Sequence, residues 1–233
     1  MCYNEKMYDI IFISYNEPNA DSNYQRLVDR FPTSKRVHGI KGIHQAHITA
    51  AKKCFTKMFW VVDGDAEILE DFNFDYQVNE YDLKTVHVWR SINPVNGLQY
   101  GYGGVKLLPR RLTINMDISK PDMTTSISNF FKPVAEVSNT TVFNTDSFST
   151  WRSAFRECVK LSSKLIDRQT DNETEERLQA WLNPSPDASF SYEARYGAEE
   201  GKAYGEQFAN SPDDLFMIND FEWLREKFNA ASK

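Results

Sequence analysis

Two carboxylates separated by a single glycine are the residues of this sequence best suited to chemistry. Asp63 and Asp65 follow directly on the apolar run 58–62, and a short apolar run of this kind predicts a buried strand. Because neighbouring carboxylates repel each other, they need a cation close by. Mg²⁺ or Mn²⁺ meets this need when diphosphate oxygens complete its shell of oxygen ligands. The pair therefore predicts a metal site for a phosphorylated ligand.

Two other carboxylate motifs are excluded by the residues that follow. An EF-hand needs glycine at its sixth position and an acid at its twelfth, but counting from Asp63 these positions hold Ile68 and Phe74. A phosphatase with an aspartyl nucleophile carries its pair on the first strand and has Thr or Val where this chain has Glu67. An Asp-Gly turn that only ends a strand remains an alternative.

The segments that must position the acidic pair predict an α/β fold. Apolar runs and helical spacing predict a strand, a helix, a strand, a helix and a strand over residues 8–15, 21–31, 35–40, 43–55 and 57–62. This order is typical of a doubly wound parallel sheet, which binds ligands at the carboxyl ends of its strands. Short strand-like segments at 85–89 and 103–108 indicate that the sheet then becomes mixed.

The C-terminal part is predicted to be helical. Helices are expected over 148–166, with Thr145 or Ser147 as its cap, over 172–182, and in one last helix from Pro212 onwards. Three glycines recur every four residues, at Gly197, Gly201 and Gly205. They predict either a closely packed helix or a mobile loop.

Charge is distributed unevenly along the 233 residues, whose formal net charge is −6. Residues 166–233 hold seven basic and fifteen acidic side chains, a balance of −8. Residues 30–62 carry seven basic side chains and no acid, and residues 83–116 carry five and no acid. These segments flank the acidic pair and predict an electropositive rim for a phosphorylated ligand; solvated surface lysines are the alternative.

Composition and cysteine usage indicate the broad class and the compartment. Hydrophobic residues make up 41% of the chain, which excludes collagen, coiled coils and wholesale disorder. Three widely spaced cysteines, no signal-peptide pattern and no apolar run near the roughly 20 residues of a membrane span predict a cytoplasmic protein without a membrane partner. The oligomeric state is left open.

The order and separation of two motifs resemble a known family. Ser14-Tyr15-Asn16-Glu17 at the end of the first strand and the Asp63-Gly64-Asp65 turn after the third look like the nucleotide-sugar-dependent glycosyltransferases of the GT-A fold. The resemblance covers roughly residues 8–110. It implies a nucleoside-diphosphate-sugar donor, with UDP as the expected nucleotide, and Mn²⁺ or Mg²⁺ as cofactor.

The resemblance also implies roles for individual residues. Ser14, Tyr15 and Glu17 would contact the nucleotide. Asp63 would contact the ribose and the metal, and Asp65 the metal. Many members add a late metal-binding histidine, but the last histidine here is at position 87, so a third ligand is not identified. Within one GT-A-like domain, residues 1–70 would form the donor half, 71–166 the acceptor half and 167–233 an acidic helical extension.

Glycosyl transfer needs a group that accepts the proton of the attacking hydroxyl, commonly a carboxylate. Asp146, just before the predicted helix at 148, is the candidate catalytic base. An acid at this position is also often only a helix cap.

Aromatic and basic residues predict where an acceptor would bind. Trp89, Arg90, Tyr100 and Tyr102 lie in the acceptor half, where aromatic rings beside arginine can stack on sugars or on an extruded base. The predicted helix from residue 148 also carries a stripe of four basic residues at four-residue spacing: Arg152, Arg156, Lys160 and Lys164. The stripe predicts an anionic acceptor; a solvated helix face is the alternative.

The small size, the acidic C-terminal third and the absence of a membrane segment give a narrower resemblance to phage enzymes that glycosylate hydroxymethylated DNA bases with a hexose or a pentose such as arabinose. Duplex DNA containing 5-hydroxymethylcytosine, in the cytoplasm of a phage host, is therefore the expected acceptor. A saccharide or protein acceptor is the alternative. A metal-dependent nucleotidyltransferase and a non-catalytic nucleotide-binding module are the other functions that the residues allow.

Overall fold

The computed structural model describes residues 7–100, 103–120, 122–165 and 170–231, and of Tyr100 and Ala231 only the backbone. The chain divides into two compact units. The first comprises the residues up to Ile92 together with Gln99–Thr141, and the second comprises Asn93–Leu98 and the residues from Val142 onwards. This is a division by packing, so the three functional segments expected from the sequence remain a prediction.

The first unit contains an eight-stranded mixed sheet. Its strands are β1 (Asp9–Ser14), β2 (Lys35–His38), β3 (Met58–Asp63), β4 (Ala66–Ile68), β5 (Val86–Ile92), β6 (Gln99–Tyr100), β7 (Val105–Pro109) and β8 (Phe131–Thr141). The strand order is β2-β1-β3-β7-β5-β8-β4, with β6 paired to β5. The strands β1, β2 and β3 are parallel, and β7 runs antiparallel to β3. The predicted α/β class, with parallel strands giving way to a mixed sheet, is confirmed.

Four α-helices and a 3₁₀ turn, Glu80–Asp82, complete the described part of the first unit; the α-helices are α1 (Ala20–Arg30), α2 (Ile43–Lys52), α3 (Arg110–Ile114) and α4 (Met123–Ile127). With β1, β2 and β3, the helices α1 and α2 form the predicted β-α-β-α-β order. Alternate residues of a strand face opposite sides of a sheet, and β3 is apolar on both sides. Trp60 and Val62 belong to one core cluster, while Phe59 and Val61 belong to another. A central strand buried on both faces explains the continuous apolar run in the sequence.

The second unit is helical in its described part and consists of α5 (Ser147–Ser162), α6 (Asp171–Leu182), α7 (Ser191–Gln207), α8 (Pro212–Phe216) and α9 (Phe221–Ala231), besides the segment Asn93–Leu98. Residue 166, the predicted end of the first of these helices, lies outside the described residues. The prediction of one last helix is wrong, because a 3₁₀ turn, Met217–Asn219, separates α8 from α9.

The three regularly spaced glycines lie on α7 and pack against α5. A Cβ on Gly197 or Gly201 would clash with the carbonyl oxygen of Trp151 or Phe155, respectively. Four-residue spacing keeps residues on one helix face, so each glycine meets a residue one turn further along α5. Of the two interpretations of the glycine pattern, the closely packed helix is therefore correct.

Among the described residues, no helix has both the length and the apolar character that crossing a bilayer requires.

Candidate functional site

The carboxyl ends of the three parallel strands bring the predicted donor residues to one edge of the sheet. In the register of the sheet, Ser14 is the partner of His38, and Ile13 is the partner of Asp63. The loop that begins at Tyr15 and the Asp63-Gly64-Asp65 turn therefore start side by side. This is the edge at which open α/β sheets bind their ligands.

Gly64 packs directly against the loop that follows β1. A Cβ on Gly64 would lie 2.7 Å from Oε2 of Glu17 and 3.0 Å from Cβ of Ser14. The same Glu17 oxygen accepts a hydrogen bond of 2.7 Å from the backbone N–H of Tyr15. The carboxylate of Glu17 thus shapes its own loop and lies against the acidic turn. The loop after β1 and the acidic turn, which are the two motifs of the sequence, are therefore in direct contact.

Helix α1 holds the acidic turn from the other side. The side chain of Asn23 is buried and donates a hydrogen bond of 3.0 Å to the carbonyl oxygen of Gly64. Arg26 donates to Oδ1 of Asn23 at 2.6 Å and forms an ion pair of 3.1 Å with Glu67. The backbone of the turn is therefore fixed on both sides of Gly64. Asn23 carries no sequence signal beyond its position one turn into a helix.

Asp63 is held by a buried lysine. Nζ of Lys106 lies 2.8 Å from each of the two carboxylate oxygens of Asp63. The Lys106 side chain is 5% exposed and that of Asp63 is 34% exposed. Sequence analysis did not identify Lys106, although it is the one basic residue within β7, whose residues are otherwise apolar and all buried. A lone lysine in a buried strand was the available signal, because such a lysine needs a partner.

The predicted metal site does not fit Asp63 in this arrangement. Both Asp63 oxygens already accept hydrogen bonds from an ammonium group, whose positive charge opposes a second cation at the same oxygens. Within the described ranges, no group of three or more His, Cys, Asp or Glu side chains is placed to hold a metal ion. Dependence on Mn²⁺ or Mg²⁺ remains a prediction for experiment.

A neutral histidine lies near Lys106. Burial and, secondarily, the charge of Lys106 lower the pKa of His47 to about 3. The Nδ1–H of His47 donates a hydrogen bond of 2.8 Å to the carbonyl oxygen of Ile43. Its Nε2 is buried and has no hydrogen-bond partner in the described part of the chain. His47 therefore adds no charge to the site near neutral pH.

Ser14 is buried and orients polar groups at the end of β2. Its hydroxyl accepts a hydrogen bond of 2.9 Å from Nε of Arg36 and lies 2.9 Å from Nδ1 of His38. Arg36 also forms an ion pair of 2.7 Å with Asp21. Sequence analysis did not identify Arg36 and His38, which lie at this edge together with Ser14.

Two of the predicted acceptor residues, Trp89 and Arg90, lie on β5 with very different exposure. Trp89 is fully buried, its ring centroid lies 4.5 Å from that of Trp60, and its Nε1 donates a hydrogen bond of 2.9 Å to Glu136. The prediction that Trp89 stacks on an acceptor is wrong for this fold, because its ring is part of the core. Arg90, the next residue on β5, is exposed. Tyr102 and the side chain of Tyr100 lie outside the described residues.

Asp146, the predicted base, is the N-cap of α5 in the second unit. It accepts hydrogen bonds of 2.8 Å from the backbone N–H of Ser149 and 2.7 Å from its hydroxyl. The predicted cap at Thr145 or Ser147 is therefore wrong. Partial burial raises the pKa of Asp146, but the Ser149 hydrogen bonds and the charge of Arg225 outweigh it, so the pKa is lowered overall. The structure assigns Asp146 a capping role, and its catalytic role remains a prediction.

The basic stripe of α5 is partly used inside the second unit. The guanidinium carbon of Arg152 lies 5.2 Å from the ring centroid of Phe221, and Arg156 donates a hydrogen bond of 3.2 Å to Asn219. Lys164 is exposed and forms an ion pair of 3.2 Å with Asp171. Arg152 and Arg156 are half-buried, and their role in acceptor binding remains a prediction.

A scan of protein-family models gives no match to this chain, and a search of curated proteins gives none either. Among solved structures, the chain is similar to the crystal structure of HddC from Yersinia pseudotuberculosis, with 14% sequence identity and a TM-score of 0.34. The similarity covers 56% of this chain and 90% of HddC. A likeness this weak indicates nothing about function, so the site residues have to carry the inference.

Proposed function

We propose that this protein transfers a sugar from a nucleoside-diphosphate donor to a hydroxyl acceptor. The observation that carries the proposal is the close packing of Gly64 on Ser14 and Glu17. It joins the loop after β1 to the acidic turn after β3 at the ligand-binding edge of a parallel sheet. These are the two motifs that resemble the donor site of nucleotide-sugar-dependent glycosyltransferases.

The donor would lie along this edge, with its nucleoside toward β1 and β2 and its diphosphate toward the acidic turn. Tyr15 is half-buried and follows β1, and the exposed His38 ends β2. Both can contact the base and the ribose. Gly64 has no side chain, which lets the loop with Ser14 and Glu17 pack against the backbone of the turn. UDP remains the nucleotide that the resemblance implies. The described residues do not distinguish one base from another.

The reaction breaks the bond between the anomeric carbon and the terminal diphosphate oxygen. The nucleoside diphosphate leaves with the bonding electron pair, and the acceptor oxygen bonds to the anomeric carbon. The hydroxyl proton passes to a base, a role that the sequence predicts for Asp146. Positive charge near the diphosphate, which the sequence predicts from Mn²⁺ or Mg²⁺, would favour its departure.

The acceptor is proposed only as a hydroxyl compound. Trp89 is buried, and Arg152 and Arg156 contact other residues of the second unit. These residues led to the expectation of a hydroxymethylated base in duplex DNA, so their positions remove part of its support. The DNA acceptor remains a prediction, alongside a saccharide or protein acceptor.

The proposed function is tested by release of nucleoside diphosphate from a panel of nucleotide sugars, with EDTA or with Mn²⁺. We expect slow release without an acceptor and stimulation by the correct one. With Mn²⁺, Asp65→Asn should lower donor binding at least about tenfold, the effect of losing one interaction with a charged group. Asp75→Asn makes the same chemical change at an exposed carboxylate of the first unit and should have no effect.

Two results would replace this function with another. Release of pyrophosphate from a nucleoside triphosphate and a sugar phosphate would indicate a nucleotidyltransferase. Binding of nucleotides without turnover of any nucleotide sugar would indicate a binding module. Absence of nucleotide binding under both metal conditions would contradict all three functions.

A further inference from the structure

We propose that Lys106 serves as the built-in cation of the acidic turn, so that a nucleoside diphosphate binds at this edge without a metal ion bridging Asp63 and Asp65. This inference rests on the proposed function and specifies how the negative charge of Asp63 at the same site is neutralised. It departs from the expectation that both carboxylates share a divalent cation.

The sheet register directs Lys106 toward the acidic turn. Lys106 is the register partner of Val61 on the antiparallel neighbour β3, and the backbone N–H of Asp63 donates a hydrogen bond of 2.9 Å to the carbonyl oxygen of Gly104. Asp63 is thus two residues along β3 from the partner of Lys106. Residues two apart on a strand face the same side of the sheet, and diagonal neighbours are within reach of a long side chain. The contact between Lys106 and Asp63 follows from this register.

The lysine chain is confined along its length. The Lys106 side chain is only 5% exposed. Gly103 has a positive φ of 76°, and a Cβ there would lie 3.1 Å from Cε of Lys106. The backbone at Gly103 therefore closes over the aliphatic part of the side chain, and the ammonium is directed to Asp63.

The positive charge of Lys106 neutralises the carboxylate that it contacts. Within the described residues, its ammonium donates to the two oxygens of Asp63. The nearby His47 is neutral because burial and the charge of Lys106 hold its pKa at about 3. Asp63 and Lys106 therefore form a pair without net charge, and the turn presents one carboxylate fewer to an incoming diphosphate.

A metal ion held by both acids would have to compete with this pair. Drawing Asp63 away from Lys106 would leave a nearly buried ammonium without its carboxylate, which is strongly unfavourable. A diphosphate that binds beside the intact pair avoids this cost. Any divalent cation at the edge would then bind through Asp65 and the ligand instead of bridging the two aspartates.

The test is calorimetric titration of UDP, GDP, ADP and CDP into the full chain, with EDTA or with Mn²⁺. We expect the wild-type protein to bind its preferred nucleotide in EDTA with an affinity within about tenfold of that in Mn²⁺. Lys106→Met, which keeps the length and removes the charge, should weaken binding in EDTA by roughly 10- to 100-fold, because Asp63 then keeps an uncompensated negative charge that repels the diphosphate. Mn²⁺ should restore most of that loss.

The matched control is Lys35→Met, which breaks another lysine–aspartate pair. Nζ of Lys35 lies 3.0 Å from Oδ1 of Asp9, the first residue of β1 and hence at the opposite end of that strand from Ser14. This variant should bind the nucleotide like the wild-type protein in both conditions. Thermal unfolding establishes that each variant is folded before titration.

Two results would overturn the inference while leaving the proposed function intact: wild-type binding that requires Mn²⁺, or a loss in Lys106→Met that is the same with and without Mn²⁺. The first result needs no variant and decides the question even if Lys106→Met does not fold. Failure of the wild-type protein to bind any of the nucleotides under either condition would overturn the proposed function and this inference together.

Discussion

Gly64 approaches Glu17 so closely that a methyl group on its α-carbon would lie 2.7 Å from the Glu17 Oε2 atom. Because that oxygen also accepts the N–H of Tyr15, Gly64→Ala has to displace either the carboxylate or the turn. We expect nucleotide binding to fall at least about tenfold, since a shift of the loop removes one or more interactions with the ligand. Calorimetry with the preferred nucleoside diphosphate measures the change.

The control for this substitution is Glu17→Gln, which keeps the shape and the acceptor oxygen of the side chain. It should retain the hydrogen bond from Tyr15 and lose less affinity than Gly64→Ala. Equal affinity in the wild-type protein and Gly64→Ala would show that the loop and the acidic turn do not cooperate in binding.

Gly201 supports a prediction about the stability of the second unit. Alanine is the better helix former by about 1 kcal/mol, but a Cβ at this position would clash with the carbonyl oxygen of Phe155. Overpacking of this kind typically costs about 1–3 kcal/mol. We therefore expect Gly201→Ala to lower the free energy of unfolding despite its better propensity, as measured by urea denaturation.

The comparison for Gly201→Ala is Ala203→Gly, two residues further along α7 at an exposed position. It tests helix propensity alone and should cost about 1 kcal/mol. If Gly201→Ala instead stabilised the protein, α5 and α7 would have room to separate, and the close packing of the glycines would not contribute to stability.

The strands of the donor edge were predictable because their signals are local. A run such as 58–62 is apolar at every position, so neither register nor partner is needed to identify a strand buried on both faces. The acidic turn was found for the same reason, since it directly follows that run. Parallel pairing then placed Ser14 and Asp63 at one edge without knowledge of any side-chain contact.

The contacts that define the site were not predictable, because they join residues far apart in sequence. Lys106 meets Asp63 across 43 positions, and Asn23 meets the carbonyl of Gly64 across 41. Trp89 illustrates the same difficulty, because Trp89 and Arg90 are consecutive on a strand and therefore face opposite sides of the sheet. The sequence alone did not decide that Trp89 was the inner one.

His47 makes stability depend on pH. Burial first, and the charge of Lys106 second, lower its pKa to about 3 in the folded protein, against 6.5 for the free side chain. Protonation therefore favours the unfolded chain, and the contribution of His47 to stability is complete above 6.5 and is lost as the pH falls toward 3. The slope approaches about 1.4 kcal/mol per pH unit below the unfolded pKa. Urea denaturation at a series of pH values measures it.

His47→Gln provides the control, because glutamine does not titrate. His44 and His87, whose pKa values are also lowered chiefly by burial, contribute in the same direction, so the variant should reduce the slope without abolishing it. An unchanged pH dependence in His47→Gln would mean that His47 reaches solvent and protonates in the folded protein.

Two substitutions of Asp146 distinguish a structural role of this residue from a catalytic one. Asn is as good an N-cap as Asp, so Asp146→Asn should leave the free energy of unfolding nearly unchanged, whereas Asp146→Ala should lower it by about 1 kcal/mol. If the residue accepts the proton in transfer, Asp146→Asn should reduce turnover by about 10²- to 10⁴-fold with donor affinity unchanged. Full turnover in a stable Asp146→Asn variant would leave Asp146 with the capping role alone.

If DNA is the acceptor, the affinity for it should depend on salt concentration in a way that identifies the phosphate contacts. Arg152 and Arg156 contact Phe221 and Asn219, so the stripe would contact phosphates mainly through Lys160 and Lys164. Each phosphate contact contributes about 0.9 to the slope of log affinity against log salt. On a DNA acceptor we therefore expect the double substitution of both lysines by glutamine to reduce the slope by up to about 2, in titrations of hydroxymethylated duplex.

Lys202→Gln, which removes a positive charge on α7 outside the stripe, should leave that slope unchanged. The experiment is informative because a protein of net charge −6 binds a polyanion only through a locally basic surface. If the wild-type protein has no affinity for hydroxymethylated duplex at low salt, and a saccharide or peptide instead stimulates nucleoside diphosphate release, the DNA acceptor is wrong. The donor edge, built from residues of the first unit, would keep its proposed role.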